Sequence, residues 1–439
     1  MTLLSNLNFE VFIFIIGLYF INNKRYLLIF AGSVILIQLF LLVIEVSISK
    51  TLISLLVTSI FILIYYMDRK RIIDVNGLFI MLLIGSLILI ISDDLISIYV
   101  GLELQTFSSL VLISNGRSSL RNSEAGLKYF TLGSLSSGLF LLGMSLIYFY
   151  SGELNISNLG ELKYNNTNNL WQVLLFLSLF FKLSIFPIHF WVPDVYEAID
   201  YDFLALIGSI PKISIIILLI KLSTTLQFFT WCGIFSIIVG TLGAINQSKI
   251  KRLLAYSGIS QMGFIVICIA VLIKSNLQVA FLYSLIYFIS LVCILGLLSG
   301  FIRFLSKNLF LSELSGFQNI NPLLTTSFFI IILSIGGLPP LMGFISKWFI
   351  ISNIILNDYL LTGLVVIIFS GIAIFYYIRI GRVLYFQNSS SYLSWSSALE
   401  SKYGEDINVS SGIFIYSILF IVLNVSWLLL LLDYLVINL

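Results

Sequence analysis

Fourteen separate runs of mainly apolar residues leave this chain few ways to fold. A membrane-crossing helix needs about 20 mainly apolar residues. By that measure candidate spans fall near 8–21, 27–44, 51–67, 76–91, 94–113, 126–150, 171–191, 203–220, 228–245, 253–273, 277–302, 322–352, 359–378 and 412–437. Lipid offers the backbone no hydrogen-bond partner, so segments of this length are viable there only as helices. Composition agrees, with 59% hydrophobic and 10% charged residues, where soluble domains carry about 25% charged. The expected fold is an all-α polytopic membrane protein of about 14 transmembrane helices.

The 23 basic residues test that count. Loops after odd-numbered spans hold fifteen: Lys24, Arg25, Arg69, Lys70, Arg71, Arg117, Arg121, Lys249, Lys251, Arg252, Arg303, Lys307, Arg379, Arg382 and Lys402. Loops after even-numbered spans hold only Lys50, Lys163, Lys221 and Lys274. Basic residues favour the cytoplasmic or matrix side, which puts both termini on the opposite side.

Four lysines remain over, Lys128, Lys182, Lys212 and Lys347, and all four fall inside spans. Glu103, in IYVGLELQTFSSL, is the acidic counterpart, near the middle of span five. A lone charge at the bilayer centre costs about 2.5–3.5 kcal/mol on insertion scales, which makes each a functional-site candidate. Burial favours the neutral form of either group, and an adjacent opposite charge favours the charged form. A Glu–Lys pair of changeable separation is therefore a proton switch, and Glu103 with Lys182 is the natural pair.

Two spans are broken. FKLSIFPIHFW (181–191) places Lys182, Pro187 and the protein's single histidine, His189, in one stretch. Pro187 removes a backbone hydrogen bond, and irregular backbone survives in lipid only when buried in protein or lining a wet cavity. SIGGLPPLMGFISKW (334–348) is the second break, with Lys347 after it. Interrupted helices at matching places mark inverted-repeat transporters with a midplane site. The breaks are five spans apart, so spans four to eight and nine to thirteen form two five-helix repeats, inverted because five is odd. The expected division is 1–75 as an N-terminal three-helix segment, 76–222 and 223–386 as the repeats, and 387–439 as a polar loop and last helix.

Plainer readings stand beside these. Lys128, near the end of span six, has the snorkelling position of an interfacial lysine. Glu103, Lys212 and Lys347 have structural pairing as an alternative, and His189 has packing beside Trp191. No second His or Cys stands at ligand spacing from His189, and Cys232, Cys268 and Cys293 read as small core residues. Tyr and Phe stripes read as lipid-facing or packing surface, and the glycines of Gly133–Gly143 as close helix contacts. Residues 304–321 suggest a short interfacial helix. A net charge of +3 without a basic patch gives no nucleic-acid partner. No nucleotide loop, nucleophile triad or cofactor motif is present, and MTLLSNLNFE lacks the features of a targeting peptide.

Several motifs together resemble a known family. SDDLISIYVGLELQ (92–105), EAGLKYFTLGSLSSG (124–138), FKLSIFPIHFWVPDVYE (181–197), IPKISI (210–215), KIKRLLAYSGISQMGF (249–264) and GGLPPLMGFISKW (336–348) follow the pattern of the antiporter-like membrane subunits of respiratory complex I, the proton-pumping NADH:ubiquinone oxidoreductase. HFWVPDVYE is nearest to the subunit-2 branch. After it the family pattern continues rich in Gly and Pro, where this chain reads AIDYDFLALIG. The resemblance implies fourteen helices, two inverted repeats and a mid-membrane proton path. Glu103 would be its helix-five carboxylate, Lys182 the lysine beside it, Lys212 the connecting lysine and Lys347 the terminal one, with His189 in the hydrated break. It implies a non-redox subunit without cofactor of its own, NADH, FMN, iron–sulfur clusters and ubiquinone being bound by other subunits. Implied partners are the other membrane-arm subunits, antiporter-like neighbours among them, and membrane lipids. The implied location is the mitochondrial inner membrane, with both termini facing the intermembrane space, or a bacterial or plastid membrane. A free-standing cation/proton antiporter is the second reading and a non-transporting scaffold the third.

Overall fold

The structure is a computed structural model and describes residues 72–115, 119–156, 170–222, 227–270, 274–301, 310–315, 318, 322–339 and 341–387. Expected spans one to three and fourteen lie outside the described residues. From 76 to 378, a helix occupies each of the ten positions where the sequence predicts a span.

Twelve α-helices are described: α1 Ile72–Ile91, α2 Leu95–Ser114, α3 Leu120–Ser151, α4 Leu170–Leu183, α5 Trp191–Ala198, α6 Tyr201–Leu222, α7 Gln227–Ile245, α8 Ile250–Ala270, α9 Lys274–Phe301, α10 Pro322–Gly336, α11 Met342–Leu356 and α12 Leu360–Phe386. Among the described residues there is no strand, only the isolated bridges Asp94–Asn155 and Lys249–Phe310. Seven of the helices are long and apolar enough to cross a membrane.

Two local features differ from expectation. α3 starts at Leu120, six residues before the predicted span, because its polar first turns still close helical hydrogen bonds. The chain resumes after the Pro187 break as a helix of its own, α5, which tolerates Pro193 because a first-turn N–H needs no helical acceptor. Most of 304–321, where the sequence suggests a short interfacial helix, lies outside the described residues; the described part includes the 3-10 turn Leu311–Leu314.

Two compact units emerge, the first holding described residues 72–182 and 206–222, the second 183–205 and 227–387. In the first, α2 packs on α1 and α3. A Cβ at Gly85 would lie 2.8 Å from the Gly101 carbonyl oxygen, so these backbones nearly touch. Of the glycines at 133, 138 and 143, only Gly143 is a tight contact, against Leu175; around Gly138 nothing lies within 4 Å. In the second unit α8 is flanked by α7, α9 and α5. Its apolar window is 94% buried, as an apolar helix without a polar face should be.

Contacts at the helix ends follow span parity. In the first unit Lys221, after span eight, donates to the carbonyls of Ile90 and Ser92 and pairs with Asp93, after span four. In the second unit Arg379, after span thirteen, donates to Ile245 O at the end of span nine at 2.9 Å. Residues sorted onto one side by the charge count thus meet on one side within each unit.

Candidate functional site

In the first unit, α2 presents Glu103 to a groove of about 240 Å³ that Tyr99, Thr106, Tyr129, Ser134 and Ser137 also line. A carboxylate can sit here because acceptors are answered locally: Thr106 Oγ1 donates to Glu103 Oε2 at 3.0 Å. Ser109 Oγ donates to the Tyr129 hydroxyl at 2.9 Å, which fixes the opposite wall.

Lys182 occupies the last turn of α4 and is buried. Helix carbonyls point toward that end, so a cation is favoured there. Its Nζ approaches Leu102 O, the carbonyl preceding Glu103, at 3.5 Å, at the edge of hydrogen-bonding distance. Among the described residues Lys182 forms no ion pair within 4 Å, although its ammonium lies within the electrostatic reach of Glu103. The two groups are therefore neighbours held short of contact, the geometry a separation-dependent switch needs.

Lys212 is buried in α6, directly after Pro211. Proline has no N–H, so the helix loses a hydrogen bond beside this lysine. Two residues on, Ser214 Oγ accepts from Gln105 Nε2 at 3.0 Å, joining α6 to the Glu103 helix in the same unit. Gln105 was passed over in the sequence, though its place two residues from Glu103 in an apolar span was the available signal. Lys128 stands apart: it pairs with Glu124 one turn earlier at 2.6 Å, and both side chains are exposed.

In the second unit the break 184–190 contains Ser184 at φ 65° and a cis Phe186–Pro187 peptide. Positive φ is uncommon for a residue with a side chain and requires surrounding support. His189 is buried against the rings of Phe186 and Phe190. Its Nδ1 has no hydrogen-bond partner among the described residues.

The second break places Lys347 differently. From the first turns of α11 the side chain reaches back and donates to Gly336 O at 2.7 Å and Ile335 O at 3.1 Å. Those are carbonyls ending α10, so this ammonium also sits at the negative end of a half-helix. Gly337 makes the reach possible. Its φ is 82°, and a Cβ there would lie 2.8 Å from Lys347 Cδ. In sequence the two lysines flank their breaks on opposite sides, yet each unit sets its lysine at the carbonyl end of the half-helix preceding the break.

One ionic cluster outside the candidate spans clamps α5 to the start of α8. Glu197 accepts from Lys249 and pairs with Arg252, which also donates to Asp194 at 3.0 Å. Burial pushes the Glu197 carboxyl up, but Lys249 and Arg252 outweigh it and hold the group below the usual carboxylate range. A folded-state value below the unfolded one stabilises above the unfolded value, and the gain disappears as pH falls through the folded value. Glu197→Gln is expected to cost about 2 kcal/mol, as loss of hydrogen bonds to charged groups does. Thermal unfolding of the purified assembly at neutral pH should show it, with wild type and variant converging in acid.

Among the described residues no three His, Cys, Asp or Glu side chains group as a metal site requires. The arrangement sets three buried lysines, Lys182, Lys212 and Lys347, and one groove-lining carboxylate, Glu103, at or beside the interrupted helices.

Comparison with known proteins places this geometry in a family. A chain of respiratory complex I from Thermus thermophilus superposes with a TM-score of 0.78 at 22% identity, covering 96% of this chain and 97% of that one. NADH-quinone oxidoreductase subunit N of Maricaulis maris is 32% identical over 362 residues, 78% of this chain and 74% of the relative. NADH-ubiquinone oxidoreductase chain 2 of Metridium senile is 37% identical over 339 residues, 74% of this chain and 86% of the relative. The profile of the NADH:quinone oxidoreductase/Mrp antiporter transmembrane family matches residues 92–374, which contain both broken helices and every candidate charge, and the chain belongs to that family.

Proposed function

We propose that this chain is a proton-translocating membrane-arm subunit of an NADH:quinone oxidoreductase, coupling redox chemistry in other subunits to proton movement. The observation that carries the reading is the pair of broken helices, each with a buried lysine at the carbonyl end of its first half. Among the described residues neither Lys182 nor Lys347 makes an ion pair within 4 Å, so no acid fixes either lysine as one half of a structural pair. The relatives named chain 2 and subunit N support the choice of complex.

In this reading Glu103, Lys182, Lys212 and Lys347 carry the protons and change charge as hydration and separation change. His189 belongs to the broken segment, and Lys128 serves at the helix end. The chain has fourteen helices with inverted repeats over 76–222 and 223–386. It carries no redox group; NADH, FMN, iron–sulfur clusters and ubiquinone are bound by partner subunits. Those partners, antiporter-like neighbours among them, surround it with lipid in the mitochondrial inner membrane, both termini facing the intermembrane space. A bacterial membrane is the alternative, since subunit N of a bacterium is also a relative.

The second reading, a cation/proton antiporter, is favoured by the Mrp half of the family. Gentle solubilisation and affinity purification of this chain separates the two. The expected result is an assembly that oxidises NADH and acidifies or alkalinises proteoliposomes in step with it. Sodium-driven proton exchange without NADH oxidation would overturn the complex I reading in favour of the antiporter.

A further inference from the structure

Beside Lys347, the second unit buries a cluster of hydroxyl and amide groups to which the proton-translocating reading gives no part. Tyr283 and Tyr287 on α9 are one turn apart on one face, and Gln261 on α8 faces them; the Tyr283 hydroxyl donates to Gln261 Oε1. From α12, Tyr377 faces Ser257, Gln261 and Tyr376, and Tyr376 faces Ser260, their rings 4.4 Å apart.

Among the described residues Gln261 Nε2 is buried without a hydrogen-bond partner, and the Tyr376 and Tyr377 hydroxyls, though near Ser260, Ser257 and Gln261, meet none of them within 3.5 Å in good hydrogen-bond geometry. Leaving a polar group unsatisfied costs about 1–3 kcal/mol, and phenylalanine would fill the same space without that cost. Buried polar atoms of this kind are ordinarily satisfied by ordered water.

A cavity adjoins the cluster, lined by Gln261, Tyr283, Tyr287, Ser290 and Ser346 among others, with about 10 Å³ open to the centre of a water-sized sphere. That is room for about one water. The cluster packs in two places against the backbone that holds Lys347. A Cβ at Gly336 would lie 3.3 Å from the Tyr377 ring, and Gly336 O is the 2.7 Å acceptor of Lys347 Nζ. Ser346 and Ile335, which line the cavity, are the chain neighbour and the second acceptor of Lys347.

We propose that Gln261, Tyr283, Tyr287, Tyr376 and Tyr377 enclose ordered water and form a hydroxyl relay that delivers protons to and from Lys347. This rests on the proton-translocating reading. A hydroxyl accepts on a lone pair and donates its own hydrogen. A proton thus enters at one end while another leaves at the other, and each tyrosine ends neutral with no bond to carbon changed. Gln261 takes no proton; it orients Tyr283 and the water.

The test is Tyr376→Phe combined with Tyr377→Phe in the assembled complex, which keeps both rings and removes both hydroxyls. The expected result is unchanged assembly and thermal stability with NADH-driven proton uptake at least about tenfold slower, less than the 10²–10⁴ that a positioned proton-transfer group contributes because the remaining hydroxyls and water still carry part of the flow. Lys182→Met is measured in the same membranes. If that variant loses pumping while the double tyrosine variant pumps normally, the relay is wrong and the wider reading stands. If both pump normally, the wider reading fails as well. Infrared difference spectra give a second readout that packing alone does not move: an H₂¹⁸O-sensitive water band present in wild type and lost in Tyr377→Phe. A spectrum without such a band overturns the relay whatever the double variant does.

Discussion

Lys182→Met is expected to abolish proton pumping through this chain while the complex still assembles. Methionine nearly matches the lysine stem in length and volume, and the site is already buried. Removing one member of a buried ion pair is costly because the other charge is stranded, but Lys182 has no ion-pair partner to strand among the described residues. Its one close acceptor, Leu102 O at 3.5 Å, lies within α2, where the helix ladder already uses it. Folding therefore loses little, and the desolvation cost of a cation is removed. The variant loses the cation within reach of Glu103, and with it the proton-binding station that the proposed function assigns to Lys182. Proton uptake by proteoliposomes per NADH oxidised should fall by at least about 100-fold through this station, the lower bound for a positioned proton-transfer group. Normal stoichiometry with normal assembly would remove Lys182 from the mechanism.

Helix positions were legible because length and apolarity alone decide them: lipid leaves the backbone no alternative to the helix. Breaks were legible for a related reason, since Pro187 and the Gly336–Pro340 run cannot complete a helical ladder. The path of the chain beyond a break depends on tertiary support, and α5 gets its support from Glu197, tied to Lys249 and Arg252 more than fifty residues away. No local pattern in the sequence carries that tie. The site shows the same division. An ionisable residue in an apolar span announces itself by its insertion cost, so Glu103, Lys182, Lys212 and Lys347 stood out as candidates. Their environments were not. Lys347 reaches back to Ile335 and Gly336 only because Gly337 turns left-handed, which no spacing rule encodes. Tyrosines grouped with phenylalanine as packing surface proved to be buried polar groups in the case of Tyr283, Tyr287, Tyr376 and Tyr377. The available signal was Tyr283, Tyr287 and Ser290 at four- and three-residue intervals, a polar stripe down one face of an apolar helix.

Gly343→Ala is expected to prevent normal assembly, although it adds a single methyl group. Gly343 is the second residue of α11, and a Cβ there would lie 1.6 Å from Ser334 O and 2.7 Å from the carbon bearing it. Both are backbone atoms in the last turn of α10, so no side-chain rotation relieves the overlap, and one helix end must move by more than an ångström. Ser334 O already accepts from Gly337 N at 3.1 Å, in the turn that sets up the left-handed Gly337. Displacing it moves Ile335 and Gly336 as well, the two carbonyls that hold the Lys347 ammonium. Overpacking a close-packed interior usually costs about 1–3 kcal/mol where side chains can shift; a backbone-on-backbone overlap lies at or beyond the top of that range. Native electrophoresis of solubilised membranes should show little or no assembled complex. Gly371→Ala is the matching control. Gly371 lies within α12 with nothing inside 4 Å of its would-be Cβ, and alanine there gains about 1 kcal/mol of helix propensity. Assembly of Gly371→Ala should equal or exceed wild type. Full assembly and pumping in Gly343→Ala would mean that α10 and α11 do not meet as closely as this structure has them, and would remove the stated basis for how Lys347 is held.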